Sequence, residues 1–102
     1  MELPYGFNKG EIEEIINQWD KLYNEVESGT FPIETYDYDQ VYEDEEYIDR
    51  YVWMGNAEFC ISTVKYDEDK RVDIHYLSES LYLNKDGFSE PFLIGELKEM
   101  VK

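Results

Sequence analysis

The chain has 102 residues, of which 42% are hydrophobic and 17% aromatic, and its formal net charge is −16. Disordered acidic tails lack the apolar side chains that offset chain entropy, so this composition predicts a folded protein. The length favours one domain over residues 1–102. The charge excludes nucleic acid as a direct ligand and anionic membranes as a partner, because both kinds of binding depend on Lys and Arg.

The sequence also predicts where the protein works. Cys60 is the single cysteine, so no internal disulfide can form. The first residues have neither the basic start nor the apolar stretch of a signal peptide, and no apolar run approaches the roughly 20 residues that span a bilayer. We therefore expect a cytoplasmic protein.

The strongest periodicity lies near the start of the chain, where apolar residues recur at the three- and four-residue steps of one helix face. These residues are Ile12, Ile15, Ile16, Trp19, Leu22, Tyr23 and Val26. Asn8 is a suitable N-cap, with Glu11 at the capping-box position, and Ser28-Gly29 is a suitable stop. The pattern predicts an amphipathic helix over residues 9–27.

An acidic segment follows this helix. Residues 22–49 contain ten carboxylates and no Lys or Arg, so they contribute −10 of the net charge of −16. Within residues 30–46, tyrosines alternate with carboxylates without a helical or strand period. We expect an acidic, tyrosine-rich loop or edge strand there.

Residues 47–83 are rich in aromatic and β-branched side chains, which are typical of strands. Turn sequences divide this region into four segments with strand character, at residues 47–54, 58–66, 71–77 and 81–83. The Gly55-Asn56 dipeptide suits a tight hairpin between the first two. The sequence thus predicts an antiparallel sheet of three or four strands.

A short C-terminal helix is predicted over residues 89–101, with Ser89 as its cap and Pro91 in its first turn. The predicted fold is therefore α+β, a small antiparallel sheet flanked by an N-terminal amphipathic helix and a short C-terminal helix. Its core is expected to include Ile16, Trp19, Tyr23, Phe59, Ile61, Val72 and Ile74.

Two candidate metal sites fail on inspection. Asp37 and Asp39 match the first and third ligand positions of a calcium loop, but Tyr42 stands where that loop needs Gly and Ile48 where it needs Glu. The same Asp-Tyr-Asp string is too short to indicate a glycosyl transferase. We predict no metal site and no cofactor.

The chain offers one possible nucleophilic pair, because Cys60 is its only cysteine and His75 its only histidine. A lone cysteine in a strand is usually a core residue, and no set of zinc ligands or phosphate-binding Gly-rich loop is present. We predict no catalytic residues and no enzyme activity. The alternative from another class is a small divalent-metal-binding module or enzyme built from Asp37, Asp39, His75 and Cys60.

The acidic, tyrosine-rich segment is the candidate partner-binding surface. Tyrosine offers rigid amphipathic area at low entropic cost. Carboxylates at positions i and i+2 of an extended chain lie roughly 6.6 Å apart, about two axial steps of a nucleic-acid strand. The predicted partner-binding residues are Glu34, Tyr36, Asp37, Tyr38, Asp39, Tyr42, Glu43, Asp44, Glu45, Glu46 and Asp49. If these residues are not the site, the exposed face of the sheet around Tyr51 and Trp53 is the next candidate.

In size, acidity and lack of catalytic residues the chain resembles, in type only, phage-encoded anti-CRISPR and anti-restriction proteins that mimic DNA. No motif assigns it to a family. The resemblance implies a small inhibitor that occupies the basic nucleic-acid-binding groove of a nuclease or CRISPR effector. An immunity protein that neutralises a basic nuclease toxin would use the same electrostatics. The plainer alternative is a solvated loop that keeps the protein soluble, although a net charge of about 2 to 8 suffices for that.

Overall fold

The computed structural model describes residues 2–65 and 74–102. The elements in chain order are α1 (Lys9–Ser28), β1 (Gln40–Glu43), β2 (Tyr47–Met54), β3 (Ala57–Val64), β4 (Ile74–Lys85), β5 (Phe88–Leu93) and α2 (Ile94–Met100). The strands form one antiparallel sheet in the order β1-β2-β3-β4-β5. The α+β class is confirmed, but the sheet has five strands instead of the expected three or four. Neither helix is long and apolar enough to cross a membrane.

Helix α1 begins where its capping box predicts. The Asn8 side chain accepts a hydrogen bond from the Glu11 backbone N–H at 2.8 Å, and the Glu11 side chain accepts one from the Asn8 N–H at 3.0 Å. At the other end, Gly29 adopts a left-handed conformation with φ +77° and closes the helix. The helix ends at Ser28, one residue beyond the predicted range.

Both helices pack on one face of the sheet, which we call the covered face. Alternate residues of the central strands, including Val52, Phe59 and Ile61, point into this layer and are at most 1% exposed. Four of the predicted core residues are buried, namely Ile16, Trp19, Phe59 and Ile61. The sheet therefore has one buried side, as the alternation of its central strands requires.

Two predicted core residues are exposed. Tyr23 lies at the flank of α1, where its ring stacks on Trp19 at 5.2 Å and keeps 39% of its surface in water. Ile74 is 50% exposed because it pairs with Val64 on the face of the sheet opposite to the helices. Val72 lies outside the described residues.

The second half of the sheet differs from the sequence expectation. The predicted third and fourth strands are one continuous strand, β4, which shifts register where Cys60 lies opposite Ser78–Ser80. The start of the predicted third strand, residues 71–73, lies outside the described residues.

The helix predicted over residues 89–101 is wrong in its first part, because Phe88–Leu93 form the edge strand β5 and α2 begins only at Ile94. Pro91 fits there because an edge strand tolerates a missing N–H. The Glu96 side chain, and not Ser89, caps α2, since it accepts a hydrogen bond from the Leu93 N–H at 3.0 Å.

Trp19 joins α1 to the irregular part of β4. Its ring is 7% exposed, and its Nε1 donates a hydrogen bond to the Ser78 carbonyl at 3.0 Å. The register shift in β4 frees that carbonyl from regular pairing with β3. The indole therefore fills the core and also donates a hydrogen bond to a backbone carbonyl that is not paired with β3.

We expect Trp19→Ala to lower the free energy of unfolding by about 3–5 kcal/mol, because it removes a large buried ring. Trp19→Phe keeps most of the apolar contact and loses only the N–H donor, so its expected cost is about 1–2 kcal/mol. Urea unfolding followed by circular dichroism measures both. A loss below about 1 kcal/mol for Trp19→Ala would contradict the central place of this residue in the core.

Candidate functional site

The face of the sheet opposite to the helices, which we call the open face, is the most distinctive surface of the protein. It consists of the strand residues that alternate with the buried ones. Six of its side chains are aromatic: Tyr42, Tyr47, Tyr51, Trp53, Tyr76 and Tyr82. Scattered exposed aromatic residues are ordinary, but a contiguous set on one face is typical of an interaction surface.

Strand register places carboxylates between these rings. Glu58 on β3 lies opposite Trp53 on β2 and Tyr82 on β4, so the three form a row across the sheet. In a parallel row, Asp49 lies beside Tyr42 and accepts a hydrogen bond from the Ser62 hydroxyl at 2.8 Å. The open face therefore combines flat apolar rings with negative charge.

A depression of about 310 Å³ lies in the middle of the open face. Its lining residues are Gln40, Tyr42, Tyr51, Trp53, Glu58, Tyr82, Asn84 and Ser89. Two neighbouring rings, Tyr42 and Tyr51, meet edge to face with their centroids 5.8 Å apart. The floor and walls thus belong to all five strands.

The electrostatics of the open face are negative. None of the Lys or Arg residues within 2–65 and 74–102 occupies an open-face strand position. Partial burial raises the pKa of Glu58, and a hydrogen bond with Asp39 and the charge of Asp39 raise it further. Burial also raises the pKa of Tyr51 to about 12, so this phenol stays neutral at physiological pH. The open face therefore offers carboxylates and the neutral phenol of Tyr51, with no cationic side chain at its described strand positions.

Three of the predicted partner-binding residues belong to the open face or its rim. Tyr42 and Asp49 occupy open-face strand positions. Asp39 lies just before β1 and accepts a hydrogen bond from Trp53 Nε1 at 3.0 Å. The open face also includes Glu58, Tyr76 and Tyr82, which sequence reasoning missed. Their period-two alternation was visible, but the strand pairing that brings them together was not.

The loop before β1 holds four other predicted residues, and two of them have structural roles. Tyr38 donates a hydrogen bond to the Ile33 carbonyl at 2.6 Å and lies 5.9 Å from the Arg50 guanidinium. Tyr36 packs on the Phe31 ring, with the centroids 4.9 Å apart. Glu34 and Asp37 are exposed in the same loop. The two tyrosines therefore hold the loop against the core, and the carboxylates face water.

The remaining predicted residues are Glu43, the last residue of β1, and Asp44, Glu45 and Glu46, which form the turn between β1 and β2. One oxygen of Asp44 accepts hydrogen bonds from the N–H groups of Glu46 and Tyr47 at 2.8 Å each, and these bonds lower the pKa of Asp44. Glu43 pairs with the Lys65 ammonium at 2.7 Å. Glu45 and Glu46 are exposed at the tip, which we call the acidic tip. Because the segment divides into loop, strand and turn, it does not form the evenly spaced row of carboxylates that an extended chain would give.

The residues of the alternative metal site or enzyme are not brought together. Cys60 lies on the open face opposite Tyr51, and burial raises the pKa of its thiol. His75 lies on the covered face, where its Nδ1 is 2.7 Å from the Thr63 hydroxyl. Across the described part of the chain, no three His, Cys, Asp or Glu side chains are grouped to hold a metal ion. No known family model, curated protein or solved structure matches the chain.

The raised pKa of Glu58 predicts how stability depends on pH. A carboxyl group whose pKa is higher in the folded state than its ordinary value of 4.5 stabilises the fold below that value. This stability is lost as the pH rises through the raised pKa. We therefore expect Glu58→Gln to melt above the wild type at pH 7, and the two proteins to converge below pH 4.5.

Thermal unfolding followed by circular dichroism at both pH values measures this difference. Glu45→Gln, at the acidic tip, removes the same charge from an exposed residue and is the control. A lower melting temperature for Glu58→Gln at pH 7 would contradict the unfavourable pairing of Glu58 with Asp39.

Proposed function

We propose that this protein is an inhibitor and not an enzyme, and that it binds the basic nucleic-acid-binding groove of a target enzyme in the cytoplasm. The open face and the neighbouring acidic tip act there as a mimic of nucleic acid. The observation that supports this proposal most strongly is the union of six aromatic rings and two carboxylates, Asp49 and Glu58, on one uncovered sheet face. Phage proteins of the anti-CRISPR and anti-restriction type act in this manner.

The chemistry of the open face matches what such a groove recognises. Grooves that bind single strands carry Lys and Arg for the phosphates and side chains that stack on the bases. Carboxylates can take the place of phosphates, and the Tyr and Trp rings can take the place of bases. A surface that carries both carboxylates and aromatic rings can therefore contact both the Lys and Arg residues and the stacking side chains of the groove.

The net charge supports the same proposal through kinetics. A charge of −16 on a chain of 102 residues creates a field that attracts a basic surface and repels nucleic acid. Such fields raise association rates and lose their effect above about 0.15 M salt, where the Debye length is near 8 Å. Glu45 and Glu46 lie at the acidic tip, where water surrounds them, and contribute to this steering.

We expect binding of this protein to its target to exclude DNA or RNA. The target is first captured from a nuclease-treated host lysate on the immobilised protein, eluted with salt and identified by mass spectrometry. The purified target is then loaded with its nucleic acid before the protein is added. Little complex should form with the loaded target, because both ligands need one groove. A ternary complex that is still inhibited would reject mimicry in favour of an allosteric inhibitor.

Charge reversal at the acidic tip should weaken this complex. We expect Glu45→Lys with Glu46→Lys to lower the affinity for the captured target at least tenfold at low salt, roughly 1.4 kcal/mol. Asp44 and Glu43 are kept because the turn and Lys65 depend on them. The matched control is Glu13→Lys with Glu14→Lys on the exposed side of α1, which makes the same charge change. Equal losses in both double variants, measured by surface plasmon resonance, would show that only net charge matters.

A further inference from the structure

We propose that the depression on the open face binds an arginine side chain of the partner, with Trp53 and Tyr82 at its sides and Glu58 between them. This inference rests on the proposed function for the existence of a basic partner. The pocket itself follows from the strand register, which sets Glu58 directly between the two rings.

The spacing of the strands leaves room for one cation between the side-chain rows of Trp53 and Tyr82. Trp53 lies on β2 and Tyr82 on β4, with β3 between them. Neighbouring strands in a sheet are about 4.8 Å apart, so the two side-chain rows are roughly 9.6 Å apart. A cation midway is then about 5 Å from each row, within the roughly 6 Å reach of a cation–π contact. Both rings are accessible, with exposed fractions of 38% for Trp53 and 42% for Tyr82. No rearrangement of the strands is needed to admit a side chain.

The carboxylates supply the complementary charge. Asp39 is held at the rim by Trp53 Nε1, and Glu58 lies close enough to be affected by its charge. Two neighbouring carboxylates repel each other, so a cation bound beside Glu58 reduces this repulsion. Gln40 and Asn84 add polar amide side chains to the lining, and the Gln40 Oε1 already accepts a hydrogen bond from the Tyr42 hydroxyl at 2.9 Å. The depression therefore combines aromatic walls with the Glu58 carboxylate and further polar side chains, and Asp39 lies at its rim, outside the lining.

Arginine fits this arrangement better than lysine. Its guanidinium is flat, stacks on aromatic faces and donates several hydrogen bonds in one plane, whereas the lysine ammonium is compact and strongly hydrated. Arginine is also enriched in the centres of protein interfaces. The same contact already occurs inside this protein, where the Arg50 guanidinium lies 5.9 Å from the Tyr38 ring.

The test uses the full chain and three capped tripeptides, Gly-Arg-Gly, Gly-Lys-Gly and Gly-citrulline-Gly. The protein has two tryptophans, Trp19 in the core and Trp53 on the open face, so ¹⁵N labelling gives two indole N–H signals. We expect the Arg peptide to shift the Trp53 signal and leave that of Trp19 in place. The Lys peptide should bind about fivefold more weakly. The uncharged citrulline peptide should give no shift.

Two variants distinguish binding in the pocket from an effect of the net charge. We expect Glu58→Gln to weaken binding of the Arg peptide at least fivefold, and Glu13→Gln, on the exposed side of α1, to leave it within about twofold because its charge is distant and screened. Glu58→Gln is expected to be no less stable than the wild type, so a loss of binding is not a loss of fold. Equal binding by both variants, equal binding of the Lys and Arg peptides, or an unchanged Trp53 signal would each overturn the proposal.

The same experiment distinguishes this inference from the function it rests on. Peptide binding at Trp53 together with a target that binds nucleic acid and this protein at once would support the arginine pocket and reject mimicry. Exclusion of nucleic acid without any effect of the Arg peptide on Trp53 would reject the pocket alone.

Discussion

The arrangement of the fold depends on how little helix is available to cover the sheet. A 20-residue helix and a 7-residue helix can cover only one face of a five-stranded sheet, so the apolar residues of that face form the core and the other face meets water. In most antiparallel sheets that pack on one face only, the face exposed to water is polar. Here the face exposed to water carries six aromatic rings. An exposed set of rings is typical of an interaction surface.

Some of the carboxylates behind the strong negative charge have defined local roles. Glu11 caps α1 and accepts a hydrogen bond from the Lys85 ammonium at 2.7 Å, which is the main reason that its pKa is lowered. Asp44 holds the tight turn between β1 and β2. Exposed pairs of this kind add little stability singly. The proximity of Asp39 and Glu58 is unfavourable, because it raises the pKa of Glu58, and it lies on the surface that we assign to the partner.

Much of the fold was predictable from local patterns. The i, i+3, i+4 spacing and the capping box defined α1 because both depend only on residues near in sequence. Gly55-Asn56 marked the β2–β3 turn for the same reason. Strand β5 was not predicted because Ser89 and Pro91 are also typical of a helix start. Its strand conformation depends on pairing with β4, which the local sequence does not show. The strand count failed there, at Ser78–Ser80, where polar residues hide the continuity of β4, and at β1, which lies within the segment expected to be a loop or edge strand.

The candidate site was predictable only in part. Asp39, Tyr42 and Asp49 were found through the acidic, tyrosine-rich segment, but the same reasoning included Tyr36 and Tyr38, which pack against the core. Composition does not show whether a tyrosine faces a helix or water. The row formed by Trp53, Glu58 and Tyr82 joins three strands, and its members meet through long-range register that one sequence does not reveal.

The central claim is that the open face is the surface that the partner covers. Incorporation of 3-fluorotyrosine and ¹⁹F spectroscopy of the free protein and of its complex with the captured target tests it most directly. Tyr5 and Tyr23 are exposed away from the open-face strands, with exposed fractions of 79% and 39%, and act as internal references. The account predicts that the signals of Tyr42, Tyr51, Tyr76 and Tyr82 move on binding while those of Tyr5 and Tyr23 stay. Movement of the two reference signals with the open-face signals unchanged would contradict it.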